Sequence, residues 1–333
     1  MRASDLSAGL TALIPTRRPV YLWGPPGVGK SSLVRQAAVS LGLTVCDVRA
    51  VLLDPVDLRG IPAVNGDHRA HWCQPDFLPR DGQGVLFLDE LAQAPPLVQS
   101  ACLQLTLDRR IGEYTLPDGW TVIAASNRQE DRAGAHKLIS PLLNRFVHLD
   151  LEVSVDDWQA WALGNGIVPD VRSFIRYRPG LLFQFDPTAG ARSFPTPRSW
   201  EFVSQVSGAT PDHLLMPVVA GCVGEGPAAE YIAFRRLFTQ LPDPLAIISN
   251  PQGTTVPGDP AVLYALTGAL VDRARKLPDP QLNSLGVFAG RMPDEYATLL
   301  VRDTIAVNPR FMAQPAVATW VRNHADLFSR SAA

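Results

Sequence analysis

The stretch Gly24-Pro25-Pro26-Gly27-Val28-Gly29-Lys30-Ser31 decides the fold. It has the form G-x-x-x-x-G-K-[ST], entered by an apolar run at 19–23 and followed by an amphipathic segment at 31–41. Glycines let backbone N–H groups curl around phosphate oxygens. A helix starting there also points its unsatisfied amides and positive dipole end at the same anion. On this reading Gly24, Pro25, Pro26, Gly27, Val28, Gly29, Lys30, Ser31 and Ser32 form a nucleotide-phosphate cradle, with Lys30 reaching the β- and γ-phosphates. Ser31 offers its hydroxyl to Mg²⁺, a hard cation that takes few protein ligands and keeps several waters. ATP and Mg²⁺ are the expected cofactors. The alternative, a strand-to-helix turn that binds nothing, is disfavoured by the elements on either side.

Working outward, apolar runs of strand length alternate with helical patterns up to residue 150, the sequence form of a parallel sheet covered on both faces. Strands are predicted at 19–23, 44–49, 84–89, 120–126 and 146–150. Several are near-continuous apolar runs, as strands buried on two sides should be. A helix over 31–41 carries Leu33, Val34, Ala37, Ala38 and Leu41 on one stripe, and Gly42 follows at the C-cap position. A second, over 96–109, carries Leu97, Val98, Ala101 and Leu105, with Pro95 and Pro96 at its start, where a missing N–H is harmless. Two hairpins interrupt the alternation. One spans 61–72 around Asn65-Gly66; the other spans 111–126, with its turn near Pro117-Asp118-Gly119. Beyond residue 150 helices separated by Pro/Gly loops are expected near 155–163, 198–206, 226–238, 260–276, 293–307 and 315–328. The implied division is an α/β core over 1–152, a helical lid over 153–224 and a helical C-terminal extension over 225–333.

Composition narrows the function classes. Among 333 residues, 30 Lys and Arg against 32 Asp and Glu give a net charge of -2, too little positive field to coat a phosphate backbone. Mean hydropathy is +0.04, and no apolar run approaches the roughly 18 residues of a membrane span. The first 19 residues carry no basic-then-apolar leader, which predicts a cytoplasmic protein. Cys46, Cys73, Cys102 and Cys222 lie far apart with no C-x-x-C, so neither a disulfide framework nor a thiolate zinc site is indicated. His68, His71 and Cys73 are close in sequence, yet solvated hairpin residues describe them better than a metal cluster. Trp158, Trp161 and Trp200 read as helix packing rather than as a base-stacking platform.

The run Val85-Leu86-Phe87-Leu88-Asp89-Glu90 delivers two carboxylates at the C-terminal edge of a buried strand, where open α/β sheets bind their ligands. Asp89 then helps hold the Mg²⁺ shell, and Glu90 accepts a proton from, or orients, a water that attacks the γ-phosphate. A helix N-cap with an acidic first turn is the competing reading.

These motifs resemble the AAA+ ATPases, and within them the MoxR branch, over about residues 19–206. GPPGVGKS and VLFLDE are similar to the Walker A and Walker B motifs. DPVDLRGIP at 54–62, QPDFLP at 74–79 and LVQSACLQL at 97–105 are MoxR-like. The resemblance implies an insert at about 57–79 and a pre-sensor-one hairpin at about 111–119. It also implies that Asn127, ending Ala124-Ala125-Ser126-Asn127, is a sensor residue that contacts the γ-phosphate or the attacking water, although asparagine caps turns equally well. Arg145, in Ser140-Pro141-Leu142-Leu143-Asn144-Arg145, matches an arginine finger acting in the neighbouring subunit, with Arg109, Arg110, Arg128 and Arg132 as competing donors. Arg198 matches the sensor-two arginine of the lid. The implied protein is a hexameric ring that couples ATP hydrolysis to remodelling or activation of a client protein, working with a von Willebrand factor A domain partner. The alternatives are a nucleotide-gated adaptor with slow hydrolysis, a DNA-acting motor of the same superfamily and a small-molecule kinase.

Overall fold

The structure, a computed structural model, describes residues 1–64, 66, 70–131 and 138–325. In chain order the first elements are α1 (Ala3–Leu13), β1 (Val20–Trp23), α2 (Lys30–Ser40), β2 (Thr44–Arg49) and α3 (Pro55–Arg59). Then come β3 (Ile61–Val64), β4 (Ala70–Cys73), β5 (Gln83–Asp89), α4 (Pro96–Asp108), β6 (Arg110–Ile111) and β7 (Tyr114–Thr115). The stretch ends with β8 (Gly119–Ser126), α5 (Ser140–Leu143) and β9 (Val147–Asp150). The helical part comprises α6 (Val155–Gly164), α7 (Pro169–Tyr177), α8 (Pro197–Ser207), α9 (Asp212–Val223) and α10 (Glu225–Gln240). It continues with α11 (Pro244–Ser249), α12 (Pro260–Ala274), α13 (Asp279–Ala289), α14 (Asp294–Val307) and α15 (Pro315–Asn323). Two compact units result: residues 1–157 with 186–190, and residues 158–185 with 191–333.

In the first unit β1, β2, β5, β8 and β9 form one parallel sheet in the order β2-β5-β8-β1-β9. Strand periodicity sorts its side chains into two cores. Val85, Phe87, Ile123, Ala125, Val20 and Leu22 face α1 and α2, meeting Leu6, Leu10, Val34 and Ala38. Leu86, Leu88, Val122, Ala124 and Tyr21 face the other way, onto Val98, Cys102 and Leu105 of α4. Burying both faces explains the unbroken apolar run of β5. The first strand was expected from Pro19 but begins one residue later, because Pro19 has no N–H for the ladder; its carbonyl accepts the Val147 N–H at 2.8 Å.

Three expectations need correction. Leu97 is 70% exposed rather than on the buried stripe of α4, which Val98, Ala101, Cys102 and Leu105 form instead. The second hairpin reverses at Gly112-Glu113, where Gly112 takes φ 57°, so that β6 and β7 pair Ile111 with Tyr114. Pro117-Asp118-Gly119 is a separate turn, closed by Trp120 N–H to Pro117 O at 3.0 Å, that feeds the chain into β8. Helices α1, α3, α7, α9, α11 and α13 were not anticipated. In α1 the signal is Leu6, Leu10 and Leu13 at i, i+4 and i+7, with Leu6 and Leu10 fully buried, over a helix of only 11 residues, and α9 carries Pro217 inside it.

The insert hairpin pairs β3 with β4 from Ile61–Cys73 to Val64–Ala70. Asn65 of its expected turn, His68 and Arg132 lie outside the described residues, as does the end of the helix expected to reach residue 328. In the second unit α12 packs on α7, and α10 and α14 pack on α12, around Leu266, Leu270, Leu285, Phe288, Leu300 and Phe311. Asp259 caps α12, accepting from Ala261 N–H at 2.7 Å. Arg176 on α7 and Asp303 on α14 form an ion pair at 2.5 Å that is nearly out of solvent. Among the described residues no helix is long and apolar enough to cross a membrane.

Burial pushes the Cys102 thiol up to about 12, so it stays protonated and shielded at neutral pH, whereas Cys73 is exposed. A maleimide pulse on the native protein is expected to label Cys73 and spare Cys102, as read by peptide mass spectrometry. Rapid labelling of Cys102 would show that α4 opens from the sheet.

Candidate active site

The loop after β1 closes on α2 with Gly27 at φ 75° and Gly29 at φ 99°. A Cβ on Gly29 would meet nothing within 4 Å, so glycine is required there by backbone conformation and not by space. Gly29 is the residue before the first turn of α2, which leaves the helix's leading amides directed along the loop. The Lys30 ammonium is buried and donates to Gly24 O at 2.7 Å, Pro25 O at 2.9 Å and Asn127 Oδ1 at 2.9 Å. Ser31 follows on the same turn, with Ser32 exposed behind it.

Sheet order brings the remaining groups to this loop. Because β8 lies between β5 and β1, the residues that leave these three strands stand side by side at the sheet's C-terminal edge. Asp89 ends β5, and its Oδ2 accepts from Ser31 Oγ at 2.8 Å. Asn127 leaves β8 and meets Lys30, which is not the geometry of a simple turn cap. Ser31 and Asp89 thus form a pair of hard oxygen donors beside a buried ammonium, a donor set that suits Mg²⁺ on a nucleotide phosphate.

Glu90 has a left-handed backbone, φ 60° and ψ 33°, which costs a non-glycine residue about 1–2 kcal/mol. Such strain persists where the surroundings over-determine it. Here Glu90 N–H donates to Asp89 Oδ1 at 3.1 Å, Glu90 O accepts from Gln93 N–H at 3.0 Å and Ala92 N–H donates to Ser126 Oγ at 2.8 Å. Neither Glu90's strain nor Ser126's contact is visible in the sequence.

The arginines separate by what they hold. Arg109, left-handed at φ 57°, donates to Pro117 O at 2.6 Å and Trp120 O at 2.8 Å and so braces the chain into β8. Arg110 donates to Thr115 Oγ1 at 3.2 Å across the β6–β7 ribbon. Arg128 pairs with Asp150 at 3.2 Å. Arg145, half-buried after α5, donates to Leu103 O on α4. Gln99, fully buried on α4, ties the same region together: its amide donates to Ala94 O at 3.1 Å and accepts from Ile139 N–H at 3.4 Å. Arg198 belongs to the second unit, exposed in the first turn of α8, whose cap is Thr196 accepting from Ser199 N–H at 3.0 Å. His71 and Cys73 approach to 3.8 Å, and among the described residues no group of three His, Cys, Asp or Glu could hold a metal ion.

Fold and site together define a P-loop nucleoside triphosphatase. Residues 20–152 match the family described as "ATPase family associated with various cellular activities (AAA)", so this segment is an AAA-family ATPase domain, an ATP-hydrolysing class. The chain is also similar to midasin of Giardia intestinalis, 30% identical over 172 residues, which is 48% of this chain and 3% of midasin. It therefore spans only a small part of that relative. Among solved structures it is similar to the RuvB Holliday junction branch migration motor of Thermotoga maritima, 19% identical with TM-score 0.40, covering 85% of this chain and 87% of that one. It is also similar to NtrX of Brucella abortus in complex with ATP, 14% identical with TM-score 0.43, covering 98% and 67% of the two chains.

Proposed function

We propose that the protein is a ring-forming, Mg²⁺-dependent ATPase of MoxR type that couples hydrolysis to remodelling or activation of a partner protein. The observation that carries this reading is the meeting of Lys30, Ser31, Asp89 and Asn127 at the edge where β1, β5 and β8 end. The loop amides and Lys30 bind the β- and γ-phosphates, while Ser31 and Asp89 hold Mg²⁺. When bound, the ion would withdraw charge from the phosphate oxygens. Glu90 takes the proton of the attacking water, and Asn127 orients that water or the γ-phosphate. Arg145 enters the neighbouring subunit's site, and Arg198 reaches the nucleotide from the helical lid at 153–224.

The assembly proposed is a hexamer, with a von Willebrand factor A domain protein as partner and the extension at 225–333 as the docking part. Ile61 and Val64 on the insert hairpin, each 70% exposed, suit contact with a protein better than with a phosphate backbone. The near-neutral charge points the same way.

Lys30→Ala tests the nucleotide reading. The expected result is phosphate release that requires Mg²⁺ in the parent and is lost in the variant, together with ATP binding by calorimetry. Turnover that survives both EDTA and Lys30→Ala would contradict it.

A further inference from the structure

We infer that the Ser126 hydroxyl, held by Tyr21, is a positioning device that fixes the turn carrying Glu90. Ser126 is 1% exposed at the end of β8, and Tyr21 on β1 is fully buried. Three contacts meet at Ser126 Oγ: Ala92 N–H at 2.8 Å, Tyr21 OH at 2.7 Å and Ala125 O at 2.7 Å. A hydroxyl has one proton to give and two lone pairs to offer, so one assignment satisfies every group. The Ala92 amide and the Tyr21 phenol donate to Ser126 Oγ, and Ser126 donates to the Ala125 carbonyl. Burial pushes the Tyr21 phenol well above its ordinary range, which keeps it a neutral donor.

This junction joins β1, β8 and the turn after β5 at the point where the chemistry is proposed to occur. Ser126 immediately precedes Asn127, Tyr21 precedes the phosphate loop by three residues, and Ala92 lies two residues after Glu90. The left-handed Glu90 backbone is closed locally by Asp89 Oδ1 and Gln93 N–H, and the bond from Ala92 N–H to Ser126 Oγ pins the far side of its turn to β8. Ser126 therefore acts through Glu90, as a positioning residue. A displacement of about 1 Å in a reacting group can cost on the order of 10²-fold in rate. This inference rests on the reading of Glu90 as the residue that activates water.

The test uses four variants of the full chain, measured for kcat, KM and ATP affinity under saturating Mg²⁺ and for melting midpoint. Ser126→Ala is expected to lower kcat about 10–100-fold with KM and ATP affinity changed less than about twofold, because Lys30 and the phosphate loop are untouched. Its midpoint falls, since the buried Tyr21 phenol loses its acceptor. Tyr21→Phe lowers kcat only about threefold, because Ser126 still accepts from Ala92 and donates to Ala125 O and loses only the Tyr21 contact. In the double variant Tyr21→Phe/Ser126→Ala the orphaned phenol is gone while the Ala92 amide stays unpaired, so the midpoint recovers in part while kcat stays at the Ser126→Ala level. A kcat that recovers with the midpoint, or a Ser126→Ala variant with near-parental kcat, overturns the inference. Glu90→Gln, assayed alongside, separates the two claims. Normal turnover by Glu90→Gln removes the reading of Glu90; an inactive Glu90→Gln beside a normal Ser126→Ala removes the positioning role alone.

Discussion

Arg145→Ala is expected to lower ATP turnover in the assembled protein by about 10³–10⁵-fold, or about 4–7 kcal/mol of transition-state stabilisation. A guanidinium spreads its charge over the transferring phosphoryl group through a planar fork that no alanine or water replaces. Its distinctive signature is complementation. Lys30→Ala lacks a working loop but keeps its finger, and Arg145→Ala lacks the finger but keeps its loop, so mixing the two inactive variants restores part of the turnover. If Arg145 only braces α4 through Leu103 O, mixing restores nothing and the variant's melting midpoint falls instead.

Glu90→Gln is expected to bind ATP as the parent does and to turn it over about 10²–10⁴-fold more slowly, the usual worth of a positioned general base. The amide keeps the side chain's shape but cannot take the water's proton. Turnover within about threefold of the parent would remove Glu90 from the chemistry. The backbone offers an independent check. Glu90→Gly, which adopts φ 60° without strain, is also expected to lose turnover while gaining about 1 kcal/mol of stability in denaturant melts.

The strands and the phosphate loop were legible because their signals are local. Two-sided burial writes β5 as an unbroken apolar run, and Gly27, Gly29 and Lys30 carry the cradle within a few residues of each other. Site chemistry that depends on distant partners was not legible. Tyr21 and Ser126 lie 105 residues apart in sequence, and nothing near Ser126 announces that its hydroxyl will be buried against another strand. Gln99 reads as an ordinary helix surface residue until α4 buries it against the segment leading to α5. The misplaced hairpin turn has a similar cause. Pro117-Asp118-Gly119 carries strong turn chemistry, but β6 and β7 are two residues each, too short for any alternation to mark Gly112 as the reversal. Among the arginines, sequence left five candidates for one role; among the described residues Arg109, Arg110, Arg128 and Arg145 each bond within their own unit, and Arg132 lies outside the described residues, so the choice of Arg145 rests on its place in the sequence.

An active site completed by a second copy of the chain, as proposed above, makes turnover depend on assembly. ATP turnover per subunit, measured across a wide range of protein concentration with sizing at each point, tests it most directly. Specific activity is expected to rise with concentration and to level off once the assembled species dominates. Specific activity that stays constant down to concentrations where only monomer is present would contradict it, and would make the phosphate loop, Asp89 and Glu90 a self-contained site.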